Sequence, residues 1–191
     1  MVSFILGGSG SGKSEYAENL AVRLKNKEEE GHFLKSTDVL SHIQKPHLVY
    51  LATMQPQDNE SRLRVTRHQK MRAGKGFETR ECYTHIEQLS IQENEILLLE
   101  CLSNLMANEM FSPEGRTMQA TGIVKEGICR LAECSRHLVV VGNNVFEDGM
   151  EYEQSTRNYL QEMAKVHQFL GEYADQVVEV VCGIPVEWRK V

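Results

Sequence analysis

The amino-acid sequence predicts an α/β fold, in which helices cover both faces of a mainly parallel sheet and an antiparallel hairpin forms its C-terminal edge. Short runs that are apolar throughout alternate with longer segments of helical character, a pattern typical of strands buried between two layers of helices. The last two predicted strands are separated only by the turn at Gly183-Ile184-Pro185, which is too short for a parallel crossover. At 191 residues, the chain is expected to form one domain over residues 1–191.

Each element follows from a local pattern of apolar and turn residues. The first strand is the apolar run before the glycines, and the first helix has Tyr16, Leu20 and Leu24 spaced four apart, as on one helix face. The charged stretch at residues 25–46 is expected to extend this helix and then to become a mobile loop. The predicted strands are Val2–Leu6, His47–Thr53, Phe77–Cys82, Ile96–Cys101, Leu138–Gly142, Gln176–Cys182 and a short last strand ending near Arg189. The predicted helices are Lys13–Lys27, Asp58–Met71, Leu102–Met110, Thr117–Ala132 and Glu151–Tyr173.

Composition and charge argue against two classes of partner. The net charge is −6 and no block of Lys and Arg is present, whereas a nucleic-acid binder usually shows a basic stripe. The longest apolar runs, such as Leu138–Val141, are far shorter than the roughly 20 residues that cross a bilayer. We therefore expect no nucleic-acid partner and no membrane segment. The five cysteines are an odd number without a CxxC pair, so reduced thiols and a cytoplasmic location are expected.

The motif between the first strand and the first helix has the spacing G-x-x-x-x-G-K-[ST]. It consists of Gly7, Gly8, Ser9, Gly10, Ser11, Gly12, Lys13 and Ser14. Glycines let backbone N–H groups surround a phosphate at the positive end of the following helix. Lys13 would hold the β- and γ-phosphate oxygens of GTP or ATP, and the Ser14 hydroxyl would ligate Mg²⁺. A flexible Gly/Ser turn could match by chance, but the strand–helix context favours a P-loop NTPase of the RecA-like class.

An acidic residue near the metal is expected at the end of a neighbouring strand. Glu100 closes the apolar run Ile96–Leu99 and is the candidate for this Walker B-like role, as a ligand to the nucleotide-bound Mg²⁺. The structural alternative is that Glu100 merely leaves the sheet into solvent.

Further short motifs follow the phosphate loop in a fixed order. They are YLAT at Tyr50–Thr53, Asp58-Asn59-Glu60 with the later Arg64, His68 and Arg72, FETRE at Phe77–Glu81, LLLECLSNLMAN at Leu97–Asn108, and Ala174-Asp175 before Gly183-Ile184-Pro185. Together with GGSGSGKSEYAE at Gly7–Glu18, they resemble the bifunctional adenosylcobinamide kinase / adenosylcobinamide-phosphate guanylyltransferase family of cobalamin biosynthesis. The resemblance spans nearly the whole chain.

The resemblance implies a specific chemistry. Members of this family phosphorylate the aminopropanol hydroxyl of adenosylcobinamide and then transfer GMP from GTP onto that phosphate. In the family the guanylyl group first rests on a histidine, at the position of His68 here, whose imidazole attacks the α-phosphate as pyrophosphate leaves. It also implies a corrinoid substrate and a homo-oligomer, often a trimer.

Three charged residues accompany His68 in this interpretation. Arg64 and Arg72 lie four residues on either side of His68, so on a helix the three share a face, where the arginines would neutralise phosphate charge. Glu81 would contact the nucleotide or the metal. The alternatives are that His68 is a surface residue of a charged helix and that the arginines pair with Asp58 or Glu60.

The chain departs from the family pattern mainly in its C-terminal half. Gly10 replaces an arginine of the loop, and Asn143–Phe146 replaces an N-E-V-G motif. A later arginine-rich segment survives only as Arg157 and Tyr159, and about twenty residues are added before the second strand. The nucleotide chemistry is therefore better preserved than the acceptor site. Met150, Tyr152 and His167 either line a different pocket or simply pack in the fold.

Three functions remain open from the sequence. The first is the bifunctional kinase and guanylyltransferase. The second is a P-loop kinase of another small alcohol, with His68 merely structural, and the third is a non-catalytic module that senses nucleotide. No guanine-reading motif of the small-GTPase kind is present, so the choice between GTP and ATP is open as well.

Overall fold

The computed structural model describes residues 1–34, 44–56, 58–115, 119–146 and 149–191. The strands in these ranges are β1 (Val2–Leu6), β2 (His47–Ala52), β3 (Phe77–Glu81), β4 (Glu95–Glu100), β5 (His137–Val141), β6 (Gln176–Val181) and β7 (Ile184–Lys190). The α-helices are α1 (Lys13–Leu34), α2 (Asn59–Arg72), α3 (Leu102–Phe111), α4 (Ala120–Cys134) and α5 (Gln154–Tyr173), and a short 3₁₀ helix covers Ile86–Gln88. No helix of the described ranges is long and apolar enough to cross a membrane.

The seven strands form one sheet in the order β3-β2-β4-β5-β1-β6-β7. Six of them run parallel, and β7 pairs antiparallel with β6, which confirms the predicted sheet and its C-terminal hairpin. Strand β1 lies inside the sheet, with Val2 opposite Leu138 of β5 and Ser3 opposite Gln176 of β6. Because these strands are parallel, their carboxyl ends share one edge of the sheet, where ligands bind in open α/β folds.

Both faces of the sheet are buried, as the continuous apolar strands predict. Along β4, Leu97 and Leu99 face the layer that contains α3, α4 and α5, whereas Ile96 and Leu98 face the layer that contains α1. All four side chains are fully buried, and each contributes about 2 kcal/mol by leaving water. The prediction of helices on both faces is therefore confirmed.

The observed helices and strands differ from the predicted ones mainly at their ends. Helix α1 continues to Leu34, which confirms its predicted extension, whereas the predicted mobile loop falls mostly on residues 35–43, outside the described residues. The predicted start of α4 at Thr117 also lies outside them. Helix α5 begins at Gln154 rather than at Glu151, and its N-cap Glu153 makes no side-chain capping bond, so no cap residue marked this end. The single-domain assignment stays a prediction.

Candidate active site

A cleft opens at the carboxyl ends of the parallel strands. It encloses about 510 Å³, a volume within the range of small-molecule sites. The predicted site residues that line it are Ser9, Gly10, Ser11, Gly12, Lys13, Ser14, His68, Arg72, Glu81 and Glu100. Residues that are far apart in sequence, on the phosphate loop, on α2 and at the ends of β3 and β4, therefore meet around one cavity.

The phosphate loop has a shape that requires glycine at two positions. A Cβ at Gly7 would lie 2.7 Å from the carbonyl oxygen of Val180, closer than any side chain tolerates. Gly12 has φ +90°, a conformation that a residue with a side chain rarely adopts. The turn between β6 and β7 braces the loop from outside, because the Gly183 N–H donates to the Ser11 carbonyl oxygen at 2.8 Å.

Lys13 is the first residue of α1, and its side chain reaches back to the phosphate loop. Its side chain is buried, and Nζ donates to the Gly8 carbonyl oxygen at 2.9 Å. Burial lowers the pKa of Lys13, while the neighbouring Cys101 and Glu100 act in the opposite direction. An anion in the cleft would favour the charged ammonium, so this lysine is suited to phosphate oxygens.

Glu100 lies beside Ser14, although β4, which ends at Glu100, is not adjacent to β1, the strand that precedes the phosphate loop. Strand β5 separates β4 from β1, so the expectation of a neighbouring strand is wrong. Contact arises because α1 packs across β4 and β5 and brings the Ser14 hydroxyl to donate to Glu100 Oε1. Glu100 is only 7% exposed, so the alternative in which it enters solvent is also wrong.

His68 lies on α2 beside the same carboxylate. Its Nδ1 is 3.7 Å from Glu100 Oε1, and Nδ1 is buried without a hydrogen-bond partner among the described residues. One ligand atom each of Glu18, His68 and Glu100 lies within 4.8 Å of the others. A cation-ligating or nucleophilic nitrogen could occupy this position, whereas a plain surface histidine would not.

Helix α2 is started by a reciprocal cap. The Asp58 side chain accepts from the Ser61 N–H at 2.7 Å, and the Asp58 N–H donates to Ser61 Oγ at 3.0 Å, a capping box. Arg64 lies on this helix, but its side chain is outside the described residues. The predicted shared face of Arg64, His68 and Arg72 therefore stays a prediction for Arg64.

Arg72 is buried against an aromatic ring. Its guanidinium carbon lies 3.4 Å from the centre of the Tyr50 ring, a cation–π contact, and Nη2 donates to Thr79 Oγ1 at 3.4 Å. Nη1 is buried and has no hydrogen-bond partner among the described residues. The predicted alternative, an ion pair with Asp58 or Glu60, is not among the contacts described for Arg72.

Glu81 differs from His68, Arg72 and Glu100 because its side chain is exposed to solvent. It ends β3 and lines the cleft, and its Oε2 accepts from the Tyr83 hydroxyl at 2.8 Å. Its position at the mouth of the cleft agrees with a polar contact to a ligand and gives no evidence of a metal ligand.

The sequence analysis assigned no role to Glu18 or Lys75. Glu18 is fully buried, and Lys75 Nζ donates to its Oε2 at 2.7 Å. Burial raises the pKa of Glu18, and the hydrogen bond from Lys75 opposes that shift. The available signal was spacing, because Glu18 follows Ser14 by one helical turn and so shares its face of α1. Arg67, which also lines the cleft, carried no signal beyond its charge.

His167 lies away from the cleft. Its ring makes edge-on contacts with Phe4 and Phe146, each at 5.3 Å between centroids, and burial lowers its pKa to about 4. Packing of a neutral ring is therefore the correct interpretation of this residue, and not a second pocket.

Comparisons with known proteins agree on one family. The family model described as "Cobinamide kinase / cobinamide phosphate guanyltransferase" matches residues 35–188. The chain is 26% identical to the bifunctional adenosylcobalamin biosynthesis protein CobU of Salmonella typhimurium, over 98% of this chain and 99% of that protein. It is 27% identical to the protein of the same name from Escherichia coli, with the same coverage, and 24% identical to CobP of Pseudomonas aeruginosa, over 97% and 96%. Among solved structures, one ATPase domain aligns with 93% of this chain and 68% of that chain, at 11% identity and a TM-score of 0.48.

Proposed function

Because this chain belongs to the cobinamide kinase / cobinamide phosphate guanyltransferase family, we propose that it phosphorylates adenosylcobinamide and then transfers GMP from GTP to the phosphate so formed. The relatives that cover nearly its whole length are named as bifunctional proteins of adenosylcobalamin biosynthesis. The proposal assigns both reactions to the one described cleft, with His68 as the residue that carries the guanylyl group.

The observation that carries this proposal is the chain of contacts from the phosphate loop to His68. Ser14 donates to Glu100 Oε1, and the same oxygen lies 3.7 Å from His68 Nδ1. A nucleotide held by the loop would therefore have its phosphates beside an imidazole. The alternative function, a kinase of another alcohol with a structural His68, does not explain why this partly exposed histidine has a buried nitrogen without a hydrogen-bond partner among the described residues.

The residues present fit a nucleotide with Mg²⁺. The loop glycines leave room for phosphates, Lys13 supplies a buried cation, and Arg72 Nη1 and Glu100 Oε2 are buried polar atoms without hydrogen-bond partners in the described chain. Ser14 and Glu100 would hold the metal ion, which would neutralise charge on the β- and γ-phosphates. Lys13 would orient the γ-phosphate for attack by the substrate hydroxyl.

The guanylyl transfer needs two substitutions at phosphorus. A neutral imidazole nitrogen of His68 attacks the α-phosphate of GTP, a P–N bond forms, and the P–O bond to pyrophosphate breaks. A phosphate oxygen of adenosylcobinamide phosphate then attacks the same phosphorus, and the P–N bond breaks to restore the imidazole. Arg72, and Arg64 in this proposal, would stabilise the added negative charge in both transition states.

Location and assembly belong to the same proposal. All five cysteines are free thiols, which supports a cytoplasmic enzyme. Strand β7 exposes Ile184, Val186 and Trp188 at an edge of the sheet, and such an apolar edge supports association of several copies. A molar mass measured by light scattering after gel filtration would test the proposed homo-oligomer and its trimeric form, and a monomer would contradict both.

Intact-protein mass spectrometry tests the covalent role of His68. The protein is incubated with Mg²⁺ and GTP, and separately with ATP, and we expect the mass to rise by one acid-labile GMP with GTP. His68→Ala should show no adduct. His47→Ala is the matched control, because His47 is exposed at the opposite end of β2 and pairs with Glu78, and it should form the adduct normally. No adduct on the wild type, while nucleotide binding is measurable, would exclude the guanylyl-histidine route.

A further inference from the structure

We propose that His85, Glu87 and Glu109 form a second metal site, specific for a divalent cation of the zinc type and separate from the nucleotide cleft. One ligand atom from each residue lies within 4.8 Å of the other two, and none of the three lines the cleft. His85 and Glu87 lie in the connection that follows β3, and Glu109 lies on α3. The site would therefore join two elements that are distant in sequence.

The proton on the His85 ring is fixed by the backbone. Nε2 lies 2.8 Å from the carbonyl oxygen of Glu114, and a carbonyl oxygen only accepts hydrogen bonds, so Nε2 carries the proton. In a neutral ring, Nδ1 then presents its lone pair. Metal-ligating histidines have this arrangement, with one ring N–H donated to a carbonyl or carboxylate and the other nitrogen free for the metal.

The free nitrogen faces an acceptor. His85 Nδ1 lies 3.3 Å from Glu87 Oε1, so two lone pairs would meet across this distance unless a cation or a second proton lies between them. In a tetrahedral zinc site with bonds of about 2.0–2.2 Å, two ligand atoms are about 3.4 Å apart. The spacing of His85 Nδ1 and Glu87 Oε1 therefore fits two ligands of one metal ion.

Glu109 provides an independent indication. It is fully buried, Oε1 accepts from the His85 N–H at 2.5 Å, and Oε2 has no hydrogen-bond partner in the described part of the chain. Glu87 Oε2 is likewise buried and unpartnered. A buried carboxylate is costly without a counter-charge, and among the described residues the only ion pair of these carboxylates is with His85.

Charge balance favours a metal over a second proton. Two carboxylates and an imidazolium leave one net negative charge beside the fully buried Glu109, whereas a divalent cation with neutral His85 leaves none. One imidazole with two carboxylates is a donor set for zinc and its neighbours among the transition metals rather than for Mg²⁺ or Ca²⁺, which prefer oxygen alone. The ion would be structural, because it would hold the connection that carries Tyr83, a cleft residue, against α3.

Equilibrium dialysis of the metal-free full-length protein against Zn²⁺, with millimolar Mg²⁺ present, tests the site. We expect the wild type to bind one equivalent of Zn²⁺ more tightly, by at least tenfold, than Glu109→Gln does. This variant keeps an oxygen that can accept from the His85 N–H. Glu78→Gln is the matched control, because it changes an exposed glutamate that is held by Arg80 and His47 and belongs to neither cluster, and it should bind Zn²⁺ like the wild type. Every variant keeps all five cysteine thiols, so a difference in Zn²⁺ binding between the variants reports on the cluster and not on the thiols.

Two further measurements keep the test decisive. Bound Co²⁺ should give the visible absorption of a low-coordinate nitrogen and oxygen site in the wild type and lose it in Glu109→Gln. If circular dichroism shows that Glu109→Gln is unfolded, Glu87→Gln replaces it under the same criteria, because Glu87 lies nearer the surface. Equal Zn²⁺ binding by the wild type and the folded variant would overturn the proposal and leave His85 as an ordinary ion-paired histidine.

Discussion

Among the described residues, two clusters have the same composition, two glutamates and one histidine, in different electrostatic surroundings. In the cleft cluster of Glu18, His68 and Glu100, the fully buried Glu18 accepts a hydrogen bond from Lys75 at 2.7 Å. In the other, the fully buried Glu109 accepts only the backbone N–H of His85 among its described contacts. The cleft cluster has a counter-charge in Lys75, whereas in the described part of the chain the second cluster pairs only with its own histidine.

Because of this difference, His68 and His85 are suited to different roles. His68 lies on a helix beside the phosphate loop, and its Nδ1, 3.7 Å from Glu100 Oε1, has no hydrogen-bond partner among the described residues, so the ring fits the proposed covalent role. His85 is tied through Nε2 to a carbonyl oxygen, so its ring is available only for coordination. The surroundings of the same residue types, and not their identity, distinguish the proposed nucleophile from the proposed metal ligand.

Substitution of Glu100 is expected to have the largest effect on the function of the cleft cluster. Glu100→Gln keeps an acceptor for the Ser14 hydroxyl but removes the charge beside His68 and Lys13, so single-turnover formation of the GMP adduct should slow by about 10²–10³-fold. Rapid-quench kinetics measures this rate. Glu78→Gln, at an exposed glutamate held by Arg80 and His47, should react like the wild type, and equal slowing in both variants would argue against a local role for Glu100.

Removal of the counter-charge of the cleft cluster should cost stability. Lys75→Met leaves Glu18 as an unpaired buried charge, and we expect the free energy of unfolding in urea to fall by about 4 kcal/mol. The double variant Glu18→Gln/Lys75→Met should recover most of this loss, because the buried charge is gone. If the double variant is as unstable as Lys75→Met, the charge pair is not the cause.

His167 provides a reference for the histidines of the two clusters, because burial alone lowers its pKa to about 4. Between pH 6.5 and about 4 the unfolded chain binds a proton at this residue and the folded chain does not, so the free energy of unfolding falls as the pH falls through this window. The shift corresponds to about 3 kcal/mol. Urea titrations at several pH values should therefore show a flatter profile for His167→Gln, and parallel profiles would contradict the assignment.

The smallest effect is expected at a third histidine–glutamate pair. His137 Nε2 lies 3.0 Å from Glu28 Oε1, and Arg136 Nε donates to Glu28 Oε2 at 2.8 Å. Since Arg136 still compensates Glu28, His137→Gln should change the free energy of unfolding by only about 0.5–1 kcal/mol. Adduct formation should not change, because His137 begins β5 at the opposite end from the cleft. A loss of adduct here would show that the pairs are not independent.

The fold could be read from the sequence because local signals were strong. Apolar runs located β1, β2, β4, β5 and β6, and the short turn at Gly183 fixed the final hairpin. The strand order could not be read, since no local pattern states that β5 lies between β4 and β1. The expected adjacency of Glu100 to the loop strand was wrong for that reason, even though α1 brings the two predicted metal ligands, Ser14 and Glu100, into contact.

The cleft was predictable only where a motif names its residues. The phosphate loop was predicted from its spacing and Glu100 from its place after an apolar run, whereas His68, Arg72 and Glu81 were predicted through the family resemblance. These four residues and Ser9–Ser14 of the loop line one cavity. Lys75 and Tyr50 were not given roles, because a cation that neutralises a buried glutamate and a ring beneath a guanidinium have no sequence spacing. The same holds for His85 and Glu109, which are 24 residues apart and meet through a backbone hydrogen bond.

The bracing of the phosphate loop by the turn at Gly183 has a consequence for protein synthesis. Strand β1 pairs with β5 and β6, and Ser3 meets Gln176 across 173 residues of chain. On the ribosome, the loop at Ser11 leaves the exit tunnel long before its support at Gly183 is translated. We therefore expect GTP or ATP to stabilise the nascent chain only after β6 and β7 have been made, and closure of these long-range contacts to be the slow step of folding.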